Sequence, residues 1–185
     1  MSTLPLFVAS QSQVKRLLGV LQVKRKEEWQ TVYFDPANDV EWILHPLWDY
    51  HGPGPEGLRR GNPSLAEILN CIAGSDQDSE VSAAAYYLVN ELDDEEESYG
   101  ALVDMLERLV APGGNKREFR NAALAIAWSH VDRPFNHRSP MGKSMQQINE
   151  DYEHFVALAA RAEAIKMKAE DSLGYVITQQ STSFE

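Results

Sequence analysis

Two imidazoles and a carboxylate lie close together in the sequence, at His45, Asp49 and His51. Groups of these types can bind a divalent metal or transfer protons. Their spacing matches no established ligand motif, and histidines beside tryptophan in a loop more often pack or form hydrogen bonds. We therefore predict no metal at this cluster. A metal-dependent enzyme that uses these three residues stays open as an alternative.

A second acid and imidazole pair, Asp151 and His154, has the i, i+3 spacing of carboxylate-bundle di-iron proteins. Such sites need a second pair and further inward-facing glutamates, which the sequence lacks. The single cysteine, Cys71, adjoins an apolar helical stripe and is predicted to be a buried structural thiol. One cysteine excludes an intramolecular disulfide and a cysteine-based metal site within the chain.

The glycines from Gly52 to Gly57 formally satisfy the dinucleotide-binding fingerprint. That motif needs a strand before it, a helix directly after it, and backbone N–H groups that face a pyrophosphate. Pro53 and Pro55 remove two of those donors. The sequence therefore predicts no catalytic residues, no cofactor and no metal.

The charge of this 185-residue chain is concentrated in one segment. There are 28 acidic and 17 basic side chains, which give a net charge of −11 and argue against nucleic-acid binding. Residues 61–107 contain no lysine or arginine, and the rest of the chain is almost balanced. The segment holds twelve acids: Glu67, Asp76, Asp78, Glu80, Glu91, Asp93, Asp94, Glu95, Glu96, Glu97, Asp104 and Glu107.

Hydrophobic patterning indicates the elements that position these residues. Residues 1–50 are predicted to form a short helix over 11–22 and a β-hairpin over 29–44, packed on the same core as the rest. A short helix from Asn38, ended by Pro46, is the alternative to the second strand. Residues 51–61 form a predicted Gly/Pro loop, and residues 62–171 a helical region. The remaining residues, 174–185, are predicted to be a loose tail, and the whole chain one domain.

Five helices are predicted in the helical region, over residues 62–73, 79–93, 98–110, 116–131 and 143–171. Asn62 and Pro63 are expected to start the first one. The last helix has apolar residues at alternating steps of three and four, which predict a docking stripe: Met145, Ile148, Tyr152, Phe155, Ala159 and Ala162.

The first four of these helices form an internal repeat. Apolar residues recur at a spacing of 37 to 38, so that Val81, Ala84 and Ala85 align with Phe119, Ala122 and Ala123. Such a period predicts stacked helical hairpins. With Asp78 ahead of the first set and Arg120 in the second, residues 62–132 resemble the HEAT-repeat family.

The resemblance implies a mostly α fold of stacked HEAT-like hairpins, with a long C-terminal helix and a small N-terminal helix plus β-hairpin. Ser82 and Lys116 depart from the family pattern, where an arginine and an aspartate are expected. A helical bundle unrelated to that family is the alternative.

A predicted partner-binding surface combines aromatic anchors with the acidic run. Positions opposite the packed face of each second helix correspond, so that Ala83, Tyr86, Tyr87 and Asn90 match Asn121, Leu124, Ala125 and Trp128. Aromatic residues beside polar ones are typical of protein interfaces. The alternatives are a solvated acidic loop, and aromatic rings covered by another helix. The predicted partner-binding residues are Tyr86, Asn90, Asp93, Asp94, Glu95, Glu96, Glu97 and Trp128.

A helical, acidic domain without catalytic residues resembles, by type, the bacterial immunity proteins that neutralise a cognate toxin. The resemblance implies a protein-binding inhibitor whose partner has a basic surface, with no role for nucleic acid or a membrane. The short apolar run from Leu4 to Ala9 is broken by Pro5, so a cytoplasmic location is expected. The alternative is a structural adaptor or scaffold subunit that docks through its last helix.

Overall fold

A computed structural model describes residues 4–27, 30–47, 56–91, 95–135 and 140–178. These residues form a five-stranded antiparallel sheet and six helices. The strands are β1 (Phe7–Val8), β2 (Gln22–Lys26), β3 (Thr31–Asp35), β4 (Val40–Pro46) and β5 (Glu56–Arg60). The helices are α1 (Gln11–Leu18), α2 (Leu65–Gly74), α3 (Asp78–Asn90), α4 (Glu95–Leu109), α5 (Lys116–Ser129) and α6 (Met145–Leu173).

The sheet contradicts the predicted fold class. Its strand order is β1-β5-β4-β3-β2, so the protein is a mixed α/β structure and not a mostly α stack of HEAT-like hairpins. The predicted hairpin over residues 29–44 is present as β3 and β4, with Tyr33 opposite Trp42. The alternative helix from Asn38 is wrong, because these residues form a turn and the start of β4.

The predicted Gly/Pro loop over residues 51–61 is wrong in its second half. There β5 lies between β1 and β4, with Leu58 paired to Val8 on one side and to Leu44 on the other. Residues 51–55 lie outside the described part of the chain. Residues 22–26 form the exposed edge strand β2. The sequence analysis assigns residue 22 to the first helix and residues 23–26 to no element.

The two faces of the sheet pack differently. Val8, Trp42 and Leu58 form a small core with Val14 and Leu21, which belong to α1 and the turn after it. On the opposite face, Phe7 enters the larger core that the helices build, and its ring lies 5.5 Å from that of Tyr87 on α3. The N-terminal segment is therefore an integral part of the domain.

Local capping sets the helix boundaries. Ser64, and not Asn62, is the N-cap of α2, where it forms a capping box with Glu67. Asn115 with Glu118 and Ser144 with Gln147 form the same motif at the starts of α5 and α6. Gly174 ends α6 at φ 77°, a left-handed conformation that glycine adopts without steric cost.

The turn between α2 and α3 connects the sheet to the helices. The Glu80 carboxylate accepts hydrogen bonds from the backbone N–H groups of Leu6 (2.7 Å) and Phe7 (3.3 Å), and from the Ser75 hydroxyl (2.7 Å). On the other side, the buried amide of Asn121 on α5 donates to the carbonyl oxygens of Ile72 and Ser75, both at 2.9 Å. These contacts satisfy carbonyl groups that the end of a helix leaves unpaired.

The helices after this turn pack against one another. Helix α3 packs against α2 and α5, and α6 packs against α5 and α4.

The predicted loose tail is partly buried. Ile177 is buried, whereas Tyr175 and Val176 are exposed, and residues 179–185 lie outside the described part. Among the described helices, none is both long enough and apolar enough to cross a membrane.

Removal of the Asn121 amide tests the role of the α2–α3 turn. We expect Asn121→Ala to lower the free energy of unfolding by about 2–3 kcal/mol, because buried carbonyl groups lose their hydrogen-bond donor. Urea denaturation measures the change. The matched control, Asn149→Ala, alters an exposed residue of α6 and is expected to change stability by less than about 0.5 kcal/mol. Equal effects of the two substitutions would contradict the role assigned to Asn121.

The interior strand β5 requires glycine at position 57. A Cβ atom on Gly57 would lie 2.4 Å from Cδ2 of the buried Leu47. We expect Gly57→Ala to destabilise the protein by about 1–3 kcal/mol through overpacking. Gly100→Ala, within α4, meets no atom within 4 Å and is expected to stabilise the protein by up to about 1 kcal/mol. Thermal denaturation of both variants distinguishes these opposite signs.

Candidate protein-binding surface

The C-terminal end of α3 carries two of the predicted binding residues. Asn90 is exposed, and its Nδ2 donates a hydrogen bond of 2.8 Å to the carbonyl oxygen of Tyr86. The side chain of Tyr86 is half-buried and packs against the larger core. These two residues therefore reach the surface, although Tyr86 does so with only part of its ring.

Trp128 does not reach the surface. Its side chain is 2% exposed, and Leu124 and Ala125 of the same helix are fully buried. Helix α5 lies between α3 and α6 and buries the face on which the sequence places a shared binding surface. The corresponding Asn121 is also buried, where it caps α2. The structure therefore agrees with the alternative in which the aromatic ring of Trp128 is covered, and Trp128 is not an anchor for a partner.

The acidic run lies where α4 begins. We call residues 91–97 the acidic junction. Asp93 and Asp94 lie outside the described residues, whereas Glu95, Glu96 and Glu97 form the first turn of α4. Burial raises the pKa of Glu91, and the charge of Arg59 opposes that shift.

Other acids of residues 61–107 are engaged inside the fold. Asp76 pairs with Arg117 at 3.2 Å, and Asp78 pairs with Arg120 at 3.1 Å. Arg161 on α6 binds both Asp104 and Glu107 of α4, at 2.6 and 2.8 Å. Glu67 caps α2 and Glu80 holds β1. Bases from the second half of the chain thus neutralise much of the segment, and the acidic excess remains at the junction.

His45 is part of a mostly buried cluster next to α3. Its ring lies 6.0 Å from that of Tyr87, over which the Arg59 guanidinium also lies, 5.1 Å from the ring centroid. Within the described residues, His45 Nε2 is buried and has no hydrogen-bond partner. Burial, followed by the charge of Arg59, lowers the pKa of His45 to about 4. Asp49 and His51 lie outside the described part, so of this predicted cluster the structure describes only His45.

The other residues with chemical potential are engaged elsewhere. The Asp151 carboxylate is buried and binds Lys143 Nζ at 2.6 Å, while His154 is exposed. Burial and the charge of Glu80 raise the pKa of the Cys71 thiol, so this cysteine is a poor nucleophile at neutral pH. No group of three or more potential metal ligands occurs among the described residues.

A polar cleft of about 670 Å³ lies between residues 4–7 and the α2–α3 turn. Its charged side chains already bind protein groups. Glu80 holds β1, Glu67 caps α2, and Arg60 donates a hydrogen bond of 3.0 Å to the carbonyl oxygen of Leu4. The cleft is therefore explained by the attachment of the N-terminal segment to the helices.

The apolar stripe predicted on the last helix divides into two rows. Phe155, Ala159 and Ala162 are buried against the other helices. Met145 and Tyr152 are exposed, and so is Val156, which the sequence analysis did not include. We call Met145, Tyr152 and Val156 the outer row. In the sequence, this row is indicated only by the apolar stripe of α6, which is wider than contact with one packing partner requires.

Comparisons with known proteins identify no relative. No protein-family profile, no curated protein and no solved structure matches this chain.

The low pKa of His45 predicts a loss of stability in acid. The unfolded chain takes up a proton near pH 6.5, whereas the folded protein does so only near pH 4. The unfolded state therefore gains protons over that window, and stability falls as the pH drops from about 6.5 to about 4. At 1.36 kcal/mol per pKa unit, the loss from this group is of the order of 3 kcal/mol.

Urea denaturation across that pH range measures the effect. His45→Leu is expected to flatten the slope of stability against pH relative to the wild type. His154→Leu, at an exposed position, is the control and should keep the wild-type slope. An unchanged slope in His45→Leu would show that His45 is protonated at the same pH in both states.

Proposed function

We propose that this chain is a protein-binding inhibitor of the immunity type, which neutralises a toxin through contact with a basic surface. The supporting observation is the distribution of charge in the fold. Acids before and after the junction bind arginines of α5 and α6. Residues 91–97 contain six acids and no lysine or arginine, which leaves a concentrated negative charge between α3 and α4.

Such a charge acts mainly on the rate of encounter. Complementary charges guide a basic partner into place and can raise the association rate constant by one to three orders of magnitude at low salt. A toxin that acts on nucleic acid would carry a basic substrate cleft, and occupation of that cleft would block its activity. Tyr86 and Asn90 lie on α3 just before the junction and would contact a partner seated there.

A structural adaptor is the second candidate function. It is favoured by the exposed outer row of α6, because apolar side chains in line on a helix are typical of docking elements. Inhibitor and adaptor share the need for a protein partner and differ in what happens to that partner. An inhibitor abolishes an activity, whereas an adaptor forms a stable complex whose subunits remain active.

Neutralising the acidic run tests the steering role. The variant replaces Asp93 and Asp94 by Asn, and Glu95, Glu96 and Glu97 by Gln. We expect its association rate constant with the partner to fall about tenfold or more at low salt, with a weaker salt dependence and little change in dissociation. The partner is first captured from the native cells with tagged wild-type protein, and the rates are measured by surface plasmon resonance.

A matched control loses the same number of charges outside residues 61–107. It carries Asp39→Asn, Glu56→Gln, Glu163→Gln, Asp171→Asn and Glu185→Gln. Equal association rates for the two variants would refute steering by the junction. Expression of the captured partner alone, and then together with this chain, separates the candidates: rescue from growth arrest supports the inhibitor, and complex formation without rescue supports the adaptor.

A further inference from the structure

We propose that the first half of α6 is a docking face for a basic amphipathic helix of a partner protein. The proposal rests on the protein-binding function above and gives that function a place in the fold. The face consists of the outer row, Met145, Tyr152 and Val156, together with the exposed acid Glu153, which precedes Val156 by three residues and is its neighbour on the helix.

The outer row is a continuous apolar strip. Met145 is 72% exposed, Tyr152 46% and Val156 38%. Their spacings of seven and four residues place them on the same side of the helix, over roughly 16 Å at 1.5 Å per residue. An amphipathic helix presents anchors with this spacing, so the strip matches one partner helix laid alongside α6.

The core does not require this row. The buried residues of the first half of α6, Asp151 and Phe155, lie on another side of the helix, where Phe155 meets Tyr99 of α4 at 5.8 Å between ring centroids. Substituting polar residues in the outer row would therefore leave the described packing intact. Exposed apolar residues in line that serve no internal packing are typical of binding surfaces, and methionine adapts readily to different partners.

The charges around the row select a basic partner. Residues 144–160 contain no lysine or arginine. The bases on either side, Lys143 and Arg161, are bound to Asp151 and to the acids of α4. Among the described residues, the exposed acid next to the row is therefore Glu153. A partner helix with lysine or arginine along its rim would neutralise it.

The start of α4 lies beside the first half of α6. Tyr99 of α4 contacts Phe155 there, with 5.8 Å between the ring centroids. Glu150 precedes Arg161 by eleven residues, or about three turns, and therefore lies on the side of α6 that faces α4, away from the outer row.

A second copy of this chain fits the face poorly. Two copies of α6 packed through their outer rows would bring Glu153 of both chains towards the contact, with no lysine or arginine in residues 144–160 to offset the two charges. Like charges that approach in this way are destabilising. The charge pattern therefore favours a basic partner over self-association.

The test uses the full chain and three fluorescent synthetic peptides, each roughly 20 residues or about 30 Å of helix in length. The first has leucine on one face and lysine or arginine along the rim, the second has the same face with a glutamate rim, and the third is a scrambled form of the first. We expect only the first peptide to bind, as measured by fluorescence anisotropy.

Two pairs of variants locate the binding. Met145→Ala with Tyr152→Ala should weaken binding of the basic peptide about tenfold, whereas Met167→Ala with Tyr175→Ala, at exposed positions in and after the far end of α6, should not. Glu153→Gln should weaken binding at low salt, and Glu150→Gln, on the side of α6 away from the outer row, should weaken it less. Circular dichroism checks that all variants are folded.

Specific outcomes would overturn the proposal. One is equal binding of the basic peptide by both double-alanine variants, and another is preference for the glutamate-rim peptide or no discrimination among the three. A wild-type dimer in sedimentation equilibrium that Tyr152→Ala dissociates would assign the face to a second copy. If the captured partner binds the Met145/Tyr152 variant as tightly as the wild type, the docking face is wrong while the protein-binding function stands. Failure to capture any partner would contradict the function itself.

Discussion

The whole fold depends on how the polar groups of the α2–α3 turn are satisfied. The last carbonyl groups of α2 have no partners within the helix, so they need donors from elsewhere. Asn121 of α5 supplies them, and Glu80 in the next turn holds the backbone of β1. One turn therefore joins the sheet, the first helix pair and α5. Because α6 packs against α5, the orientation of the proposed docking helix also depends on this turn.

The same fold decides which acids remain available. A sequence with a net charge of −11 suggests a diffuse negative surface, but arginines 117, 120 and 161 return to acids that lie 41 to 57 residues away in the chain. The pairs that remain exposed contribute little to stability individually. Their consequence lies in the distribution of charge, since they offset acids on both sides of the acidic junction.

The helices were predictable from the sequence because apolar periodicity and capping residues report local structure. The sheet was predictable only where a turn joins β3 to β4. In β5, glycine and arginine conceal an interior strand whose hydrogen bonds come from distant β1 and β4, and β2 has no buried face to produce a pattern. For the binding surface, the acidic run can be recognised in the sequence. The burial of Trp128 cannot, because it depends on how α5 packs between α3 and the distant α6.

Protein binding is proposed at the outer row of α6 and at the acidic junction. Hydrogen–deuterium exchange of this chain, alone and with its captured partner, tests that claim most directly, because it reads the contact surface without substitutions. We expect slower exchange in residues 145–156 and 91–99 on binding, with no change in β2 or α1. Protection confined to β2, α1 or the cleft beside Glu80, with residues 145–156 unchanged, would contradict it.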